Sequence, residues 1–436
     1  MSLQDSRDSG TANTAPGRPP SCRDYYQQLD DDINRTCGID VGWTALIACR
    51  SYPMEDSECQ AFRSRYAVIK RFQEQTLALF RASLNGQCDP QIARMVVEDL
   101  PEHLGVNYHR KLTDHQHRTP VFFRTDEVSP GKLSEIQCCG SGWCLAEQLR
   151  QLYLDNETVF GSPRHFPDSL AASFTRSLTK YLGEEPRIHH LVDNASRPHG
   201  MRYFIQRTRM QGAKYFSYDR GVSPSDCNFV RSHDFITLPH HNFFADRMER
   251  CNQGKVFFDL PPSNLFDGKI ILAWPFWKET RAWYPDEVRG LFPYTTIIRP
   301  DGIDLENGEH ISLDEFCSLP QGRRDYYIKY AGTDININWG SKSVFLASTF
   351  SQGKCREFME TVLQDSRRNR YWVLQEAVHQ KEPVVALDPK GGLIKTDAYT
   401  KLSGFYGPDG LMAILAMQKC SHKVHGSSET IMSIVH

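Results

Sequence analysis

The sequence predicts a mixed α/β (α+β) fold, and three patterns carry that prediction. Apolar residues fall at helical spacing through residues 22–110. Two alternating runs over 121–138 are split by Ser129-Pro130-Gly131, a hairpin signature. Between 187 and 300, short apolar runs alternate with helical stretches, as expected of an α/β layer with parallel strands.

In chain order, residues 1–21 are rich in Ser, Gly, Pro, Thr and Asp and read as a disordered leader. From Ser57 to Leu84 the positions Tyr66, Ile69, Phe72, Leu77, Phe80 and Leu84 form one helical face. Asp89 opens a further helix through Val97, and Pro101 closes it. After the hairpin, Leu145, Leu149 and Leu152 place a helix from Cys144 to Tyr153. The α/β layer draws on Ile188–Val192, Met201–Met210, Ala213–Tyr218, Asp234–Leu238 and Lys269–Trp274. Strands Tyr326–Tyr330 and Tyr371–Gln375 then flank a helix from Ser351 to Leu363, and 384–435 reads as short strands and turns.

Composition narrows the function. The 436 residues carry 51 Lys plus Arg and 53 Asp plus Glu, a formal charge of −2, which offers no basic footprint for nucleic acid. The longest apolar run, Ile270 to Trp277, is far short of the roughly 20 residues a membrane helix needs. The amino end lacks the basic-then-apolar pattern of a signal peptide, so a soluble cytoplasmic protein is expected. With an odd count of 13 cysteines, a disulfide framework is not expected, and Cys138, Cys139 and Cys144 read as buried thiols.

Three features could carry chemistry. Strand alternation puts Arg124 and Asp126 on one face, and Glu135 and Gln137 on one face of the next strand. A tight loop is expected to set Arg124 opposite Glu135. The resulting oxygen-rich cluster suits Mg²⁺ and phosphate; a solvated hairpin face with a cross-strand Arg–Glu pair fits the same pattern. Secondly, Lys329 sits inside an aromatic strand and precedes Gly332 and a polar loop ending Gly340-Ser341-Lys342. Backbone N–H groups of such a loop can approach phosphates, although it is not a P-loop. Thirdly, the strand Trp372–Leu374 ends in Gln375-Glu376, able to face an adenine ring and ribose hydroxyls or simply to cap a strand.

Other candidates are weaker. Adjacent histidines in His189-His190 and His240-His241 point to opposite strand faces and chelate poorly. Asp219-Arg220-Gly221 fits either a ligand contact at a strand end or a turn, and Lys423 to Ser427 either a phosphate contact or a surface turn.

The order of the three features, R-x-D then E-x-Q, an α/β unit, a lysine strand, a glycine loop, a helix and V-L-Q-E, resembles the circularly permuted ATP-grasp superfamily, in its glutathionylspermidine synthetase-like branch. The resemblance covers 115–436. A helical region over 22–114, read from periodicity, precedes it; the resemblance implies metal-binding strands and following helices over 115–186, a pre-ATP-grasp α/β unit over 187–300, and lid and core strands over 301–436. It also implies ATP and Mg²⁺ as cofactors. Asp126, Glu135 and Gln137 would hold the metal, with Gln137 departing from the family's Asn. Arg124 would face the transferred phosphate or acyl group. Lys329, Gly340, Ser341, Lys342, Gln375 and Glu376 would bind nucleotide. Lys401 would stand where relatives carry a phosphate-contacting Arg, without its bidentate fork. The implied reaction joins a carboxylate to an amine through an acyl phosphate, with an amino acid or peptide as a family-level expectation for one substrate. The alternative is a pseudoenzyme that keeps the fold and binds nucleotide or a partner.

Overall fold

A computed structural model describes residues 21–37, 43, 45–138, 142–161, 164–191, 198–217, 226–232, 243–266, 268–334, 342–378, 380–425 and 429–435. The expected leader (save residue 21), Cys139, Asp219-Arg220-Gly221, the strand over 234–238, His240-His241, Gly340, Ser341 and Gly426-Ser427 lie outside those residues.

The helical face predicted near the amino end forms the helix Asp56–Leu84. Its first turn is closed by Glu58, whose carboxylate accepts from the Glu55 backbone N–H at 2.9 Å. Phe62, Ile69, Phe72, Leu79 and Phe80 are buried along it. Asp89 caps Pro90–Val97 by accepting from the Gln91 N–H, with proline in the first turn where its missing N–H costs nothing. This region also holds a strand, Leu46–Ala48, which apolar periodicity did not reveal. Three residues are too few for a period, and its place is set by partners far along the chain.

Those partners belong to a seven-stranded mixed sheet. Its order is Lys381–Asp388, Leu46–Ala48, Ile431–Ile434, Gly410–Lys419, Gly392–Gly407, Phe123–Ser129, Lys132–Gln137. Lys381–Asp388 also pairs with Gly392–Gly407, so five strands form a closed circuit of pairings from which the hairpin extends. The carboxyl-terminal region therefore contains strands of 16 and 10 residues where short ones were expected.

A second sheet is all parallel, Lys214–Ser217, Arg187–Leu191, Phe229–Ser232 and Phe257–Phe258. The helix Pro198–Met210 makes the crossover between its first two strands in sequence, so the Met201–Met210 run is helical. Lys269–Trp274 corrects the strand reading more fully. It begins with the 3-10 turn Lys269–Leu272, and its apolar side chains are buried in the core beside the helix Pro90–Val97. Continuous apolar runs carry no period, so burial alone could not separate turn from strand.

A third, antiparallel sheet runs Val344–Leu346, Tyr326–Tyr330, Trp372–Glu376, Thr295–Ile297. The helix Gln352–Ser366, capped by Ser351, contributes Cys355, Met359 and Val362 to the core that also buries Ile328 and Leu374. The segment leading into its strand Thr295–Ile297 contacts the hairpin: the Leu133 N–H donates to the Leu291 carbonyl at 2.7 Å, and the Lys132 ammonium donates to the Phe292 carbonyl at 3.2 Å.

Candidate functional site

The hairpin register differs from the expected one. Asp126 pairs with Glu135, and Arg124 pairs with Gln137, rather than Arg124 with Glu135. The two-residue turn Pro130-Gly131 sets Ser129 opposite Lys132, and the irregularities at Val128 and Ser134 offset one another. Side chains alternate with period two, so a register moved by two residues keeps all four polar groups on one face.

Asp126 is the hub of that face, with 1% of its surface exposed. Arg124 donates to both carboxylate oxygens, Nε to Oδ1 at 3.0 Å and Nη2 to Oδ2 at 3.1 Å. From the neighbouring long strand, Lys401 donates to Oδ2 at 2.8 Å and the Ser403 hydroxyl donates to Oδ1 at 2.7 Å. Ser403 is the cross-strand partner of Asp126, which explains why residues so distant in sequence converge. Burial opposes ionisation of Asp126, but Arg124, Lys401 and Ser403 outweigh it and hold the carboxyl well below the usual carboxylate range.

Gly142 lets Arg124 take this position. It has φ +83°, and a Cβ built there would stand 2.9 Å from Arg124 Nη1. The glycine turn before the helix Trp143–Asp155 thus accommodates the guanidinium as well as starting the helix.

Glu135 is more open, with 27% of its side chain exposed, and faces the ammonium of Lys269 at 3.5 Å. Burial raises its carboxyl and nearby Asp126 adds to that, yet Lys269, Lys401 and Lys329 together hold it below the ordinary range. Lys269 was not singled out by sequence. It stands at the start of a buried 3-10 turn after Gly268, a placement no local motif announces.

Lys329 enters from the third sheet. Its ammonium donates to the Gln375 side-chain oxygen at 2.5 Å and to the Ser134 carbonyl at 3.3 Å, beside Glu135. The Gln375 amide in turn donates to Thr295 Oγ1 at 3.0 Å. Burial pushes Lys329 down to about 8; Glu135 and Asp126 resist this, while Lys269 and Lys401 reinforce it. The site therefore holds Arg124, Lys269, Lys329 and Lys401 against Asp126 and Glu135, a cationic surplus suited to a polyanion.

The remaining candidates are more dispersed. Gln375 is buried and its side chain orients Lys329. Glu376 is half-buried at the strand end, where its backbone N–H donates to the Tyr294 carbonyl at 2.8 Å. Gln137 lies half-buried beside Arg124. Lys342 is exposed before Val344–Leu346. The other end of the glycine loop is tied down: Asp99 accepts from the Thr333 N–H at 2.7 Å and from the Tyr330 hydroxyl at 3.4 Å.

His190 Nδ1 lies 2.7 Å from the Tyr215 hydroxyl, and His189 packs against the Phe243 ring at 4.9 Å. Cys138 and Cys144 are both buried, and neither forms a disulfide. Among the described residues, no group of three or more His, Cys, Asp or Glu side chains is arranged to hold a metal. Among them, too, no helix is long and apolar enough to cross a membrane.

No protein-family model and no curated protein matches the sequence. Among solved structures, the chain is similar to the apo form of a glutathione synthetase-like effector from Globodera pallida, with a TM-score of 0.51 and 9% identity, covering 94% of this chain and 96% of that one. It also aligns with a candidate gamma-glutamylcysteine synthetase from Methylobacillus flagellatus, with a TM-score of 0.42 and 10% identity over 84% of this chain and 88% of that one. The likeness to the effector shows the fold, a mixed α/β architecture with a large mixed sheet.

Proposed function

We propose that the chain is an ATP-dependent carboxylate–amine ligase of the ATP-grasp type, in circularly permuted order. One observation carries the reading: Lys329, from the third sheet, lies against the hairpin at Ser134, beside Glu135 and within the field of Asp126. Residues of the hairpin and of the strands Tyr326–Tyr330 and Trp372–Glu376, each ordinary alone, thus meet in one cationic cluster. The glutathione synthetase-like fold of the effector supports it.

The donor set fits a nucleoside triphosphate with Mg²⁺, provided Asp126 is assigned a different share of the work. Both of its oxygens already accept from two donors each, so Asp126 anchors Arg124 and Lys401 rather than offering a free ligand. Glu135 and Gln137 would supply the metal-binding oxygens, and Mg²⁺ characteristically takes one or two carboxylates and completes its shell from phosphate and water. Bound Mg-ATP would supply the γ-phosphoryl group that activates the carboxylate as an acyl phosphate, from which an amine displaces phosphate to form the amide.

The chain's own residues then act by position and charge. Lys329 and Lys269 neutralise phosphate oxygens. Arg124 and Lys401, oriented by Asp126, face the charge that develops on the transferred group. Gln375 holds the Lys329 ammonium in place, and the strand end at Glu376 with Lys342 flanks the nucleotide. On the same reading, Gly340 and Ser341 would bind nucleotide.

Screening carboxylate–amine pairs for ADP release, with mass analysis of products, tests the reading. Amide, ADP and phosphate in equal amounts are expected, with an amino acid or short peptide as one substrate. A phosphorylated hydroxyl acceptor would replace the reading with a kinase. Nucleotide binding without turnover would favour a pseudoenzyme, the reading to which the caged Asp126 is also compatible.

A further inference from the structure

We propose that a cavity on the back of the hairpin binds a small organic cation with an apolar body. The cavity holds about 320 Å³ and lies between the first turns of the helix Asp56–Leu84 and the reverse face of the large sheet. Its walls include Tyr52, Glu58, Phe62, Glu127, Glu382 and Leu402. That volume is at the lower end of small-molecule sites, which run from roughly 300 to 1,000 Å³. Glu127 follows Asp126 in the strand and points to the other face, and its cross-strand partner Leu402 follows Lys401 in the same way. The cavity and the cationic cluster are thus back to back, one strand layer apart.

The charge lining this cavity is opposite to that of the cationic cluster. Glu58, Glu127 and Glu382 face one guanidinium, Arg65, which pairs with Glu127 and lies 4.7 Å above the Phe62 ring. Glu382 accepts from the Tyr52 hydroxyl at 3.1 Å and from the Thr400 hydroxyl at 3.2 Å, both neutral donors. Among the described residues no cationic side chain pairs with Glu382. The Tyr52 hydroxyl registers all three acids: burial raises it most, and Glu382, Glu58 and Glu127 raise it further. Burial likewise pushes Glu127 up to about 7; Arg65 and the Gly131 N–H oppose this, and Glu58 adds to it.

An ammonium entering here would neutralise the surplus acid, while its hydrocarbon part packs on Phe62, Met54 and Leu402. A carboxylate or phosphate would meet Glu382 and Glu58 with like charge. The chemistry selects a primary amine bearing an aryl or short alkyl group. This inference does not depend on the ligase reading.

Calorimetric titration of the full chain with phenethylamine, 2-phenylethanol and 3-phenylpropanoate provides the test. Saturable one-to-one binding of the amine is expected, at least about tenfold tighter than the alcohol, with no binding of the carboxylate. Glu382→Gln should weaken amine binding about tenfold or more, and Ala61→Phe, which fills the cavity, should abolish it. Circular dichroism on each variant reports folding. In the unmutated protein, the methyl resonance of Met54 should shift on addition of amine, so the test survives an unfolded variant. Failure of the amine to saturate, equal binding of amine and alcohol, or unchanged affinity in folded Glu382→Gln would overturn the proposal.

Discussion

The Lys401 ammonium lies 2.8 Å from Oδ2 of Asp126, a residue 275 positions earlier in the chain. A buried carboxylate held by a lysine, an arginine and a serine is a structural clamp as well as a part of the site. Removing the anion leaves two cations without a counter-charge in a buried setting. Asp126→Asn should therefore lower unfolding free energy by about 3–5 kcal/mol, measured by urea denaturation, as well as turnover.

The same pair gives a pH prediction. Asp126 is held ionised below the ordinary carboxyl range, so its contribution is complete above the unfolded value and is lost as pH falls through the folded one. Stability should decline from roughly pH 4 downward, and Asp126→Asn should flatten that part of the acid limb. Thermal unfolding of both proteins across pH 2 to roughly 5 checks it.

Lys329 titrates in the opposite sense. Its ammonium is pushed down to about 8, so in the free protein it loses its proton well below the usual lysine range. A bound triphosphate restores the charge, so ATP binding should take up protons between about pH 8 and 10. Calorimetry in buffers of different ionisation enthalpy reads this uptake. Lys329→Met should abolish it and weaken ATP binding by at least about tenfold.

Gly142 offers a test of preorganisation. Gly142→Ala places a Cβ against Arg124 in a left-handed backbone position, at a cost of about 1–3 kcal/mol. Turnover should fall further than stability alone explains, because Arg124 must move. Steady-state kinetics beside thermal unfolding separates the two effects.

Asp99 anchors the base of the glycine loop through the Thr333 N–H. Asp99→Ala should raise KM for ATP several-fold while leaving the ammonium titration of Lys329 unchanged. Kinetics against ATP concentration, with the calorimetric proton count, decides this.

Much of the local structure was legible. The Ser129-Pro130-Gly131 turn, the Asp89 cap and the period of residues 57–84 are short-range signals, because they depend on backbone conformation and on which face a side chain takes. The face shared by Arg124, Asp126, Glu135 and Gln137 followed from alternation alone, and survived an error in their pairing because two register positions restore the same side. Lys269 was not legible. An isolated lysine ahead of an apolar run has no pattern, and only the packing of its turn against the core brings it to Glu135. Ser403 was hidden for the same reason, since its role is defined by the strand beside it; Gln375 was singled out as a strand-end residue, but its contact with the Lys329 ammonium was not.

By itself, the sequence determined the long amino-terminal helix, the hairpin with its polar face and the lysine set in an aromatic strand, all of which rest on neighbours within a few residues. Tertiary structure alone decided that Asp126 is clamped by Lys401 and Ser403, that Lys269 completes the cationic cluster, and that an acidic cavity lies behind it. Those depend on long-range strand pairing and desolvation, and neither is encoded in the spacing of any one segment.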